Sequence, residues 1–331
     1  MLTPAYKLTV GGKVVDTTDE PRASTVVELC VALDMDTPAD SFTLTLGQVG
    51  GLRPERDDEA TVELGYADDG GLTQVITGTV VAVEPGLTTT RVVGATAAHA
   101  LLRTFVDQTY EGKTAGAMVR DLADQAGVDT ASVDDGITFP AYVIDGRRSV
   151  HRHLRDLADL CGFDVYVDAS GRLVFEPFAG GQTIHTLEYA KHVVALEMAQ
   201  APAYAGIVEA WGESSGGGHG EEGWAWLTKD FGGSRGTAGS GSPTLRLERS
   251  ALRTPDAARA AASAAHTTIE RRRVSGRVWT TGNPAVALGD AVRLSELPDA
   301  TLNGTFQVRS VTHRLTKADG FVTGVGFRSL A

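Results

Sequence analysis

The chain has 331 residues, 42% of them hydrophobic and 22% charged, and this apolar content excludes wholesale disorder. Its 39 glycines follow no three-residue period, which excludes a collagen-like rod. The net charge of −12, from 42 acids against 30 bases, argues against a general nucleic-acid binder.

The length allows two or three domains. No apolar run approaches the ~20 residues of a membrane-spanning helix. Residues Met1 to Val15 alternate polar and apolar and lack a continuous apolar stretch, so no secretory signal is expected. Cys30 and Cys161 are the two cysteines, too few for a disulfide framework or a four-cysteine zinc site. Both sit among apolar neighbours and read as buried, reduced thiols of a cytoplasmic chain.

The first ~96 residues read as strands. Tyr6, Leu8 and Val10 alternate with polar residues. So do Val27, Leu29, Val31 and Leu33, then Phe42, Leu44 and Leu46, then Val62, Leu64 and Tyr66. The stretches Val75 to Val83 and Arg91 to Ala95 complete the series. Turn-forming breaks at Gly11-Gly12, Thr37-Pro38, Asp68 to Gly71 and Pro85-Gly86 suggest a barrel or sandwich.

The period then changes. A short helix is expected at Ala97 to Phe105. A second begins at Thr114, a capping residue, with Ala115, Met118, Val119, Leu122, Ala123 and Ala126 on one stripe and Gly127 as its end. A third runs from Ser149 to Gly162 and feeds a hairpin through Asp168-Ala169-Ser170-Gly171. The text Val119 to Asp129 matches Leu154 to Asp164 at seven of eleven positions, at an offset of 35. No third copy exists, and repeat arrays need about three. The two segments therefore read as amphipathic helices with the same capping needs.

Strand character returns after about Thr186. Gly212 to Gly223 and Gly232 to Ser242 read as mobile glycine-rich loops, with Trp224 and Trp226 between them. Thr254-Pro255-Asp256 opens an alanine-rich helix that runs to Arg273. The remainder is β, with a turn at Leu288-Gly289-Asp290 and hairpin turns expected at Asn303-Gly304 and Asp319-Gly320.

Candidate chemistry is sparse. His151-Arg152-His153, followed by Asp156, is the densest cluster. Histidines at i and i+2 face different sides of a helix, whereas helical metal pairs need i and i+4. The cluster reads as a solvated first turn. His99, His185, His192, His219, His266 and His313 are scattered. Cys161 lies on an apolar stripe, poorly placed for a reactive thiolate. Gly112-Lys113-Thr114 resembles the end of a phosphate loop, but Asp107 stands where its first glycine belongs. Gly216-Gly217-Gly218 follows no strand-to-helix unit that would suit a dinucleotide. Arg271-Arg272-Arg273 falls at a helix C-terminus, where cations complement the dipole. A phosphate or acidic-partner contact is the alternative there. No catalytic, cofactor-binding or metal-binding residue emerges.

The order of these parts resembles the late control protein D family of contractile phage tails. That family includes the baseplate hub of contractile injection systems and the hub region of valine-glycine-repeat spike proteins. Three stretches carry the resemblance. The first is Tyr110-Glu111-Gly112-Lys113-Thr114 with the helix to Gly127. The second is Ser149 to Phe175, including Leu157-Ala158-Asp159-Leu160-Cys161-Gly162-Phe163. The third runs from Leu288-Gly289-Asp290-Ala291-Val292 through Asn303 to Val308, then Val311-Thr312-His313-Arg314-Leu315 and Gly320-Phe321-Val322-Thr323. Thr305 departs from the pattern by separating Gly304 from Phe306.

The resemblance implies a mainly β chain with an α/β segment (α+β), in which two tube-like β-barrel domains flank a helix-hairpin insertion. The expected domains are 1–96, 97–185 and 186–331. It further implies a non-enzymatic structural hub, a homotrimer whose six barrels adapt a hexameric inner tube to a trimeric spike. The expected partners are the inner tube protein, a separate spike protein and other baseplate proteins, without specific nucleic-acid binding or direct membrane insertion. The protein would be made in the cytoplasm and assembled into a phage tail or injection particle. The glycine-rich loops would order against these neighbours. A β-rich carbohydrate-active enzyme, with two converging carboxylates, is the alternative.

Overall fold

The computed structural model describes residues 2–18, 25–38, 40–47, 52–212 and 235–330. Seven strands come first: β1 (Pro4–Val10), β2 (Lys13–Asp16), β3 (Val26–Asp34), β4 (Ser41–Gly47), β5 (Glu59–Tyr66), β6 (Gly71–Pro85) and β7 (Thr89–Ala95). Every pairing among them is antiparallel. Their alternation buries Leu8, Leu29, Val31, Phe42, Leu44 and Leu64, each side chain contributing roughly 1.5–3 kcal/mol of hydrophobic stabilisation. One position departs from the expected phase. The register of β3 against β4 shifts between Val26 and Glu28. This irregularity turns Val26 inward and leaves Val27 40% exposed.

The middle of the chain holds α1 (Ala98–Arg103), β8 (Gln108–Thr114), α2 (Ala115–Gln125), β9 (Thr130–Val133), β10 (Thr138–Ile144), α3 (Val150–Cys161), β11 (Asp164–Val167) and β12 (Leu173–Glu176). Thr114 caps α2, its Oγ1 accepting the Ala117 amide at 3.1 Å. Ser149 precedes α3 without a side-chain cap bond. Gly127 and Gly162 follow the two helices with φ of +69° and +72°, the left-handed turn that glycine adopts without strain. The strands that follow, β9 and β11, flank β12 in one three-stranded sheet, with β9 parallel to β12. The shared text therefore encodes two helix-to-strand corners of one small layer.

The last part contains β13 (Ile184–Glu188), β14 (Val193–Gln200), β15 (Ile207–Trp211), β16 (Gly236–Gly239), β17 (Thr244–Glu248), α4 (Pro255–Arg271), β18 (Val274–Thr281), β19 (Ala291–Ser295), β20 (Gly304–Thr316) and β21 (Gly320–Ser329). Thr254 caps α4 by accepting the Ala257 amide at 3.2 Å. The Gly232 to Ser242 stretch departs from the loop expectation where it is described. Gly236–Gly239 is a strand paired with β15. A Cβ on Gly236 would lie 2.2 Å from the Ala258 backbone of α4, so the glycine serves close helix–strand contact rather than motion. Of the other expected loop, only Gly212 is described, and Trp224 and Trp226 lie outside the described residues.

Asn303-Gly304 is not a tight hairpin turn. The link from β19 to β20 carries a 3-10 turn at Ala300–Leu302. Asn303 has φ −68°, and its side chain accepts the Leu297 amide at 3.1 Å. Gly320, with φ +72°, does turn β20 into β21 as expected.

The mainly β character with an α/β segment is present, yet the strands of the two ends do not separate. A 13-stranded sheet runs β14-β18-β21-β20-β3-β4-β7-β6-β5-β1-β2, with β19 and β13 branching from β20. Among the described residues this path closes no ring. The reason lies in β20, whose 13 residues have room for two partners on one side. Its start pairs with β19 and its end with β3, where Val311 faces Leu33 and His313 faces Val31.

Two apolar cores follow. One joins the first seven strands to the last ones, through residues such as Leu29, Phe42, Val278, Val311 and Phe327. The other gathers α2, α3 and β12 with Val208, Leu252 and the alanine face of α4.

Candidate functional site

The residues singled out in the sequence do not converge. His153 is buried at 3% exposure, not solvated, and its Nε2 lies 3.0 Å from the Asp145 carbonyl. It is turned inward because the first turn of α3 packs on the loop before it. Burial, with Arg155 and Arg152 nearby, pushes the neighbouring His151 down to about 4. Asp156 is held by Arg148. Among the described residues no group of three His, Cys, Asp or Glu side chains is placed to hold a metal ion.

Burial pushes the Cys161 thiol up to about 11. Thr114 is a helix cap, and the Lys113 backbone sits in β8 against Phe139 of β10. Gly216-Gly217-Gly218 lies outside the described residues. The Gly-x-Ser-x-Gly spelling of a serine elbow occurs twice, at Gly212-Glu213-Ser214-Ser215-Gly216 and at Gly232-Gly233-Ser234-Arg235-Gly236, and both serines lie outside the described residues. Gly236 opens β16, whereas an elbow needs a helix after its serine.

A buried pair links His185 and Asp290, with Nε2 and Oδ2 2.9 Å apart. The same carboxylate accepts the amides of Thr183 and Ala287 at 3.2 and 3.0 Å, and so pins the Leu288-Gly289 turn ahead of β19. This is a local brace for the strand start.

The densest charge cluster is one that no sequence spacing suggests. Arg309 on β20 reaches Asp36, just after β3, at 2.9 Å, and also pairs with Asp164 on β11. Gln307 donates to the other oxygen of Asp164 at 2.5 Å. Arg328 on β21 meets Asp36 at 2.8 Å, and Arg155 of α3 donates to the Met35 carbonyl. Burial pushes the Asp36 carboxyl up, but the Arg309 and Arg328 guanidiniums outweigh it and hold it below the usual range. Arg271, from the expected basic run, turns into this junction. Its guanidinium carbon lies 5.8 Å from the Phe178 ring centroid. Arg273 instead pairs with Glu270 on the surface. The junction ties both ends of the chain to α3, β11 and α4.

Among the described residues three strands end the large sheet, β13 on its branch and β2 and β14 at the two ends of the main path. Of these, β2 and β14 carry exposed apolar side chains, Val14 at 56% and Val194 at 66%. Tyr189 and Tyr204, close to the ends of β14, are also half exposed. Open edges with apolar side chains are templates for strand addition or partner contact.

No protein-family model matches the chain, and no curated protein matches it. Solved structures do. The 43 kDa tail protein of prophage MuSo2 from Shewanella oneidensis superposes with a TM-score of 0.73 at 14% identity, over 98% of both chains. A tail protein from Neisseria meningitidis gives 0.70 at 13% identity, over 99% of this chain and 96% of that one. An Escherichia coli component of the type VI secretion system, itself structurally similar to bacteriophage T4 tail proteins, gives 0.60 at 12% identity, over 98% of this chain and 77% of that one. In fold, the chain stands with phage tail and type VI secretion proteins, the company expected of a contractile tail hub.

Proposed function

We propose that the protein is a structural baseplate hub of a contractile phage tail or injection system. The full-length likeness in fold to the Shewanella prophage tail protein carries this reading. In it, the chain is a homotrimer. The β-rich segments at 1–96 and 186–331 supply two tube-facing, barrel-like units per subunit around the 97–185 segment. Three subunits then offer six similar units to a hexameric inner tube and a three-fold face to a separate spike protein. The open strands β2 and β14 support subunit or partner contact, because unpaired apolar edges are costly to leave in water. The role is mechanical and needs no catalysis.

Size-exclusion light scattering with negative-stain imaging tests this. The expected result is a three-fold ring that binds tube protein at one face. A monomer at high concentration that assembles with neither tube nor spike protein would refute it.

A further inference from the structure

The arginine junction encloses a cavity of about 50 Å³, bordered by α3, the C-terminus of α4, β11, β20 and β21. Its charge does not balance. Five arginines border it, at 155, 271, 272, 309 and 328, against three aspartates, at 36, 159 and 164. Two of the aspartates are already engaged. Asp36 takes Arg309 and Arg328, and Asp164 takes Arg309 and Gln307. Arg271 and Arg272 have no carboxylate within ion-pair distance among the described residues. The Nε atoms of Arg271 and Arg309 are both buried without a protein acceptor. A buried N–H without an acceptor is costly, and on a guanidinium the cost is that of a charged group. Two such donors on arginines that line one small cavity, beside a formal surplus of two positive charges of which the exposed Arg272 is one, favour negative charge there.

We infer that this cavity binds one small inorganic anion of chloride size, held by Arg271 and Arg309. The volume suits that class, since about 10–15 Å³ of such space already admits a water. The bound charge cancels half of the surplus. It bridges the end of α4 to β20 and so couples the two apolar cores. The site is independent of the hub reading, because it lies within one chain.

The test uses the full-length protein in sodium chloride and in sodium gluconate at equal ionic strength. Its melting temperature should rise saturably with chloride and not with gluconate. Arg271→Gln should weaken the apparent chloride affinity at least tenfold. Arg273→Gln, on the surface beside Glu270, should leave the response intact. Crystals soaked in bromide should show an anomalous peak between Arg271 and Arg309. Equal melting curves in the two salts, or a chloride response unchanged by Arg271→Gln, would overturn the site. If that variant does not fold, the wild-type bromide peak decides, and its absence removes the proposal.

Discussion

Arg309 and Asp36 meet at 2.9 Å although 273 residues separate them. The same guanidinium also holds Asp164, which is 9% exposed. Removing the arginine leaves a buried carboxylate supported by Gln307 alone. Arg309→Met should therefore cost about 3 kcal/mol of stability, measured by urea unfolding. The surface pair of Arg314 and Glu28 is the comparison. Arg314→Met should cost under about 1 kcal/mol.

Asp40 gives the fold a pH response. It is 4% exposed, and burial pushes its carboxyl up to about 7, against the pull of the Asp34 amide, which donates to it at 2.7 Å. The folded state thus binds a proton that the unfolded chain releases near pH 4. Asp40 contributes stability fully below that point and loses it as pH rises from about 4 to 7. Asp40→Asn keeps the acceptor and removes the titration. Unfolding measured from pH 4.5 to 7.5 should show the wild type losing about 2–4 kcal/mol relative to the variant.

Helix caps should separate cleanly. Thr254 accepts the Ala257 amide, whereas Ser149 makes no side-chain cap bond. Thr254→Ala should lower stability by about 1 kcal/mol, and Ser149→Ala by much less. Thermal melts of the two variants compare them directly.

Gly236 tests close packing. Its missing Cβ leaves room for the α4 backbone, so Gly236→Ala must push strand and helix apart. A loss of about 1–3 kcal/mol is expected. Gly70, with φ +70° and open space around it, should tolerate Asn far better. Equal losses at the two positions would contradict the packing account.

Cys161 should be a poor nucleophile. With its thiol pushed up to about 11, its thiolate at pH 8 is on the order of 100-fold scarcer than that of an ordinary cysteine. Alkylation at pH 8 should be slow and should accelerate steeply above pH 9. Rapid labelling would revive a reactive-thiol role.

Much of the β framework was legible because alternation reports a half-buried strand. Leu29, Val31 and Leu33 gave their face directly, and Thr114, Gly127, Gly162 and Thr254 marked helix ends. Val27 misled because a register shift is invisible to a period of two. His153 misled because its burial depends on the Asp145 loop. The glycines at 236 and 239 read as flexible because nothing local announces the helix that presses on them. The arginine junction was illegible for a simpler reason. Asp36, Asp164, Arg271 and Arg309 converge only once β3 lies beside β20. Of its members, the sequence drew attention to the Arg271 run alone, and it suggested the helix dipole instead.

The pairing of β3 with β20 also sets a clock. Residues 28–34 wait for residues 310–316 before their second flank is covered. At ~5–20 residues per second, a ribosome needs tens of seconds to supply them. Through that interval the nascent chain carries a bare strand edge in the midst of its largest sheet, and chaperones or neighbouring nascent chains compete for it. The chain cannot complete this pairing until translation has passed residue 316. A chain that ends before residue 310 therefore lacks the partner that covers residues 28–34.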